Sequence, residues 1–177
     1  MAQFNSKAVV TIECKTADAV VRYTLDGSSP SGSVGTQYSA PFTLYNNATV
    51  KAIGIKSGLL DSDIASYDIA IKLPNKSDMF NYGQSQITGD RGAFAWAETE
   101  FQTEYANYDT STLTVRYTLD GSEPTEASPK AEKNVPINIE GNCTIKWKVF
   151  GTKNVASDTL SQTITTLKVQ TPVISAE

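Results

Sequence analysis

The chain contains no histidine. That removes the commonest general base, the usual serine and cysteine triads, and most zinc sites. Cysteine is scarce as well, with Cys14 and Cys143 far apart in sequence. Two such residues do not make a disulfide framework, and both are expected as small buried apolar side chains. No apolar run is long enough to span a membrane, so no membrane partner is expected. The opening MAQFNSKAVVTIECK lacks the basic-then-apolar block of a signal peptide, so the chain is expected to be made and kept in the cytosol, or to leave without that export route. Nor is there a basic excess. The net charge is −4, and the deficit falls after Leu73. A nucleic-acid partner, which would demand a basic face, is not expected.

A duplication dominates what remains. VRYTLDGSSP at Val21–Pro30 returns as VRYTLDGSEP at Val115–Pro124, 94 residues later and differing at one position. The similarity continues at an offset of 95, from Ala40–Ala52 to Val135–Trp147 and from Ser62-Asp63 to Ser157-Asp158. A period this long indicates duplicated domains rather than a solenoid. AVVRYTL, LTVRYTL, ATVKAIGI and CTIKWKVF are rich in β-branched and aromatic residues and alternate as strands do. Strand parity puts Val21, Tyr23 and Leu25 on one face and Arg22 and Thr24 on the other. Turn signals at Asp26-Gly27, Asn46-Asn47, Gly58 and Gly141-Asn142 separate the strands. The expected fold class is all-β, two tandem immunoglobulin-like β-sandwiches. The boundary is expected at Lys72-Leu73-Pro74, giving residues 1–73 and 74–177.

The string YTLDGSxP, a proline-led strand, a (V/I)K(A/W) strand and a Ser-Asp turn together resemble the chitobiase/β-hexosaminidase C-terminal domain. The resemblance covers Val9–Lys72 and Ala93–Lys168. It implies an immunoglobulin- or fibronectin-type sandwich, and non-catalytic units of the kind appended to bacterial glycosidases and surface proteins. Similar sandwiches occur on bacteriophage particles. The second copy departs from the pattern at Trp147, where the first has Ala52, and by an extra segment at Asn75–Gly92. A TPxIS string near the C-terminus looks, within the resemblance, like the opening of another repeat.

The duplicated block itself reads as a strand and a corner. Gly27 and Gly121 supply positive φ, Asp26 and Asp120 can close Asx-turns, and Pro30 and Pro124 end the pairing. Two such aspartates in separate domains cannot make a glycosidase pair. Asp61 and Asp63 are spaced like calcium ligands, but no Gly-and-Glu loop completes a site, so a solvated turn is expected. Glu98, Glu100 and Glu104 share a wet strand face, as do Lys146 and Lys148. Trp147 shares parity with Ile145 and Val149 and is expected in a core, and Phe94 and Trp96 alternate with Ala93 and Ala95 as a core strand would. No catalytic residue, metal site or cofactor is expected.

The expected contact surface is Met79, Phe80 and Tyr82 in the extra segment, with Tyr108. It suits another protein or a sugar. A C-terminal arm with Pro172, Val173 and Ile174 is expected to lie along a strand edge. The expected function is structural: an auxiliary capsid, decoration or fibre protein of a bacteriophage virion, partnered by capsid or tail subunits and made in the host cytoplasm. The alternative is a carbohydrate-binding or spacer module at a bacterial cell surface, with glycans as possible partners.

Overall fold

A computed structural model describes residues 1–75, 80–83, 94–97, 105–132, 135, 137–139 and 142–164. Among these there is no α-helix, and a single 3-10 turn spans Thr110–Thr112. The structure divides into two compact units. Unit 1 comprises Met1–Pro74, Phe101–Leu113 and Val149–Asp158, and unit 2 comprises Asn75–Glu100, Thr114–Lys148 and Thr159–Glu177. Unit 1 thus takes in two stretches expected in the second sandwich.

Unit 1 contains β1 (Ala2–Asn5), β2 (Ala8–Val10), β3 (Val20–Thr24), β4 (Thr36–Gln37), β5 (Phe42–Leu44), β6 (Ala48–Ile55) and β7 (Ala65–Lys72). Five of them form one sheet in the order β1-β7-β6-β3-β4, and β2 pairs with β5 in a second. β1 runs parallel to β7, from Ala2 opposite Ile69 to Asn5 opposite Lys72. The other pairings are antiparallel. Alternation along β6 buries Val50 and Ala52, and Ile69 and Ile71 of β7 and Ala8 of β2 are buried with them in the core. Tyr23 of β3 stacks on Phe42 of β5 at 4.6 Å between ring centres, which joins the two sheets at one end.

The two added stretches are hydrogen-bonded into this unit. Leu73 is only 2% exposed, and its N–H donates to the Val155 carbonyl at 2.9 Å. The Val155 N–H donates to the Ile71 carbonyl at 2.8 Å. Leu73 is therefore core rather than linker. The Tyr105 hydroxyl donates to the Pro74 carbonyl at 2.7 Å, and the Tyr108 hydroxyl donates to the Ser6 carbonyl.

Unit 2 is built on β8 (Phe80–Gly83), β9 (Phe94–Ala97), β10 (Leu113–Thr118), β11 (Ile137–Asn138), β12 (Cys143–Gly151) and β13 (Leu160–Ile164). Leu113 and the last three residues of β12 are grouped with unit 1. The sheets run β10-β12-β13 and β11-β9-β8. Val115, Ile145, Trp147 and Ile164 are buried. Trp147 thus fills the core at the position where the first copy has Ala52. Part of the extra segment is strand: β8 pairs antiparallel with β9, Phe80 opposite Ala97 and Tyr82 opposite Ala95.

At the end of β3, where the backbone turns, Thr24 is buried and Leu25 exposed. Two sequence expectations fail locally. Cys14 is exposed and Cys143 half-buried rather than core. Cys14 lies in the irregular stretch after β2, and Cys143 is the first residue of β12. Tyr108, expected at a contact surface, is 8% exposed. Its ring lies edge-on to Tyr45 at 5.8 Å, and its hydroxyl is held by the Ser6 carbonyl.

Candidate functional site

The duplicated block forms the same corner in both units. In the first, Asp26 Oδ1 accepts from the Ser28 N–H at 3.0 Å and from the Ser28 hydroxyl at 2.6 Å. In the second, Asp120 Oδ1 accepts from the Ser122 N–H at 2.9 Å and from its hydroxyl at 2.6 Å. These bonds favour the ionised carboxylates, so both side chains titrate below the usual aspartate range. The preceding threonine closes the loop from the other side. Thr24 Oγ1 donates to the Ser28 carbonyl and Thr118 Oγ1 to the Ser122 carbonyl, each at 2.6 Å.

Between these bonds the backbone reaches φ +80° at Gly27 and +77° at Gly121. There the chain leaves its strand and lies against a neighbour. The Gly27 N–H donates to the Thr49 carbonyl at 3.0 Å, and Asp26 forms a parallel bridge with Thr49, as Asp120 does with Thr144. Pro30 and Pro124 follow, both buried. An arginine then ties the next loop to the strand: Arg22 donates to the Gly35 carbonyl at 2.8 Å, and Arg116 to the Ser128 carbonyl at 3.0 Å. Threonine, serine and arginine were missed as corner residues, although their duplication within the decapeptide was the available signal.

A second device is also repeated. Ser62 Oγ accepts from the Gly54 N–H at 2.9 Å and donates to the Asp63 carbonyl at 2.8 Å. Ser157 Oγ accepts from the Val149 N–H at 2.9 Å and donates to the Asp158 carbonyl at 2.9 Å. Each serine also returns a main-chain bond of 3.0 Å, to Gly54 and Val149 respectively. Ser62 is exposed, whereas Ser157 is 2% exposed.

The remaining candidates do not converge. Asp61 and Asp63 are exposed, and no cluster of metal-ligating side chains occurs among the described residues. Lys146 pairs with Glu123 at 2.9 Å, and Thr159 donates to the same carboxylate at 2.5 Å. Glu123 is held below the usual glutamate range by Thr159 first and Lys146 second. Burial pushes the Tyr108 hydroxyl and the Cys143 thiol up. Phe80 and Tyr82 lie on β8, while Met79, Glu98, Glu100, Glu104, Pro172, Val173 and Ile174 lie outside the described residues. A cleft of about 420 Å³ opens in unit 1 between β2 and the β6–β7 pair, lined by Phe4, Val10, Val50, Ala52 and Tyr67 among others.

Residues 2–66 match the family model of the chitobiase/beta-hexosaminidase C-terminal domain. Residues 106–164 match the model described as Fn3 associated. The chain carries tandem immunoglobulin- and fibronectin-type domains. The two copies of the decapeptide fall in two different family models, one in each. Neither a curated protein nor a solved structure matches the chain. Both matches are to accessory modules rather than to catalytic domains.

Proposed function

We propose that this protein is a structural and interaction component of a larger protein assembly. The setting is a bacteriophage virion, in which it serves as an auxiliary capsid, decoration or fibre protein. The observation that carries the reading is how the duplicated block is used. Its aspartates, the residues best suited to chemistry in a chain without histidine, are both engaged in closing their own corner. The block that sequence repetition marks most strongly holds backbone in place, and capsid or tail subunits are the partners such a scaffold serves. The test is mass spectrometry of purified particles. Recovery of the chain at a fixed ratio to the major coat protein supports the virion setting. Absence from intact particles overturns it.

A second reading has its own support in the match of residues 2–66 to a domain named for chitobiase and β-hexosaminidase. On that reading the chain is a spacer or carbohydrate-binding module beside a glycoside hydrolase at a bacterial surface. Its best sugar platform is the half-exposed trio Tyr23, Tyr38 and Phe42, whose ring centres lie 4.6–6.4 Å apart. Retention on an insoluble polysaccharide, abolished by Tyr38→Ala, favours this reading over the first.

A further inference from the structure

The two sheets of unit 1 differ in width. Five strands form the first, and among the described residues β2 and β5 alone form the second. The narrow sheet stops short of part of the wide one. Along β7, Ala65 and Tyr67 share a face with Ile69 and Ile71. Ile69 and Ile71 are buried, whereas Ala65 is exposed and Tyr67 is 56% exposed. Their neighbours across the ladder, Ala52 and Val50, are buried. β1 flanks β7 from Ile69 to Lys72 and goes no further. Beyond it the sandwich opens into the cleft of about 420 Å³, with Ala65 and Tyr67 on one wall and Val10 and Ile12 on the other.

The second wall is an unprotected edge. β2 pairs with β5 on one side and, among the described residues, with no strand on the other. From Ala8 to Ile12 it reads AVVTI, without the charge or proline that usually blunts an edge. Thr11 and Ile12 continue the alternation of β2, Thr11 exposed and Ile12 half-buried. Neither has a main-chain hydrogen bond among the described residues. Val9, on the outer face, is 65% exposed. A strand added beside β2 would pair with this backbone and cover Ala65 and Tyr67.

We propose that the cleft takes the C-terminal segment of a second copy, VQTPVISAE (Val169–Glu177), as a third strand beside β2. The segment lies outside the described residues. Fully extended it reaches about 30 Å. The Ala8–Ile12 edge is about 17 Å long, so the segment spans it with residues to spare. It is too short to bury a core of its own. Its alternation suits the two sides of the edge. Ile174 turns into the cleft against Tyr67, with Pro172 and Ala176 on the same side, and Val173 stands outward beside Val9. The other outward residues, Thr171, Ser175 and Glu177, are polar. Pro172 lacks an N–H, which an edge strand tolerates on its open side. Each copy gives one arm and receives one. That is a heterologous contact, and it builds an open chain or a ring of copies. This inference deepens the assembly reading and rests on it for the choice of a second copy.

The test is sedimentation velocity of the purified full chain, from micromolar to near-millimolar concentration, beside Ile174→Asp in the arm and Tyr67→Asp in the cleft. The wild type is expected to form concentration-dependent species larger than the single chain. Each variant alone is expected to associate at least about tenfold more weakly in dissociation constant, with an unchanged melting temperature. The first variant keeps its cleft and the second keeps its arm. Mixed, they are expected to form pairs and nothing larger. Val34→Ser, at an exposed residue outside the cleft, is expected to leave association intact. A synthetic VQTPVISAE peptide added to the wild type is expected to break the larger species down, and the same peptide carrying Ile174→Asp is not. A wild type that stays monomeric overturns the inference. So does a variant that associates as well as the wild type, a mixture that fails to pair, or a peptide without effect. A chain found in particles at a fixed ratio but monomeric when purified removes the inference and leaves the assembly reading standing. Arm-dependent association in a chain absent from particles does the reverse.

Discussion

Asp120 and Ser122 are joined twice: one carboxylate oxygen accepts both the serine N–H at 2.9 Å and its hydroxyl at 2.6 Å. Asp26 and Ser28 repeat the arrangement in unit 1. Both aspartates titrate below their ordinary value, so each contributes stability that is present above the unfolded pKa of about 4 and is lost as the pH falls through the lower folded value. Asp120→Ala is expected to lower the melting temperature at neutral pH by a few degrees. It is also expected to flatten the loss of stability below about pH 4. Thermal melts of wild type and variant across the acid range check this. Parallel pH profiles would show that the bonds carry no net stability.

Gly121 and Gly35 separate two uses of glycine. At Gly121, φ is +77° and an added Cβ would stand 3.6 Å from the Thr144 side chain, an ordinary contact. Gly121→Ala is therefore expected to cost about 1–2 kcal/mol, from backbone conformation alone. At Gly35, φ is +98° and an added Cβ would fall 2.7 Å from the Tyr23 carbonyl oxygen. Gly35→Ala is expected to exceed the Gly121→Ala cost by about 1 kcal/mol or more, because backbone must also shift. Urea midpoints of the two variants give the order.

Ser157 and Ser62 make the same bonds at different depths. Ser157→Ala strands the buried Val149 N–H and is expected to cost about 1–3 kcal/mol. Ser62→Ala leaves its groups in water, with an expected change within about 0.5 kcal/mol. Equal losses would mean that burial does not set the value of this bridge.

How much of this was legible in the sequence depended on range. Asp26-Gly27 and Asp120-Gly121 could be read because an Asx-turn and a positive φ are local properties. Strand positions such as Val50, Ala52, Ile145 and Trp147 could be read because alternation fixes which face is buried. Tyr108, Leu73 and Val155 could not. Their placement depends on partners far away in the chain: the Ser6 carbonyl for Tyr108, the Val155 carbonyl for Leu73, and the Ile71 carbonyl for Val155. No local pattern announces such pairings. Within the extra segment, Phe80–Gly83 is strand by virtue of its pairing with β9, which no local pattern announced.

Tyr108 supplies a test of that long-range burial. Tyr108→Phe removes the hydroxyl bond to Ser6 and is expected to cost about 1 kcal/mol. Tyr108→Ala, which also empties the space beside Tyr45 and Tyr105, is expected to cost about 3–5 kcal/mol. A fragment of residues 1–74 lacks Tyr105, Tyr108 and Val155 together, and is expected to melt well below the full chain. Circular dichroism melts of the three proteins decide it. A fragment as stable as the full chain would show that the added stretches are dispensable to unit 1.

The parallel pairing of β1 with β7 has a mechanical consequence. Ala2–Asn5 lies in register with Ile69–Lys72, and the two strands point the same way. A tensile load applied ahead of β1 and beyond β7 pulls them in opposite directions along their length. The hydrogen bonds between them are then strained in shear, all together, rather than peeled open one after another. Before any unravelling starts, the first repeat bears force as a clasp, and a clasp at the outer edge of a sheet suits a part placed in line between anchored neighbours.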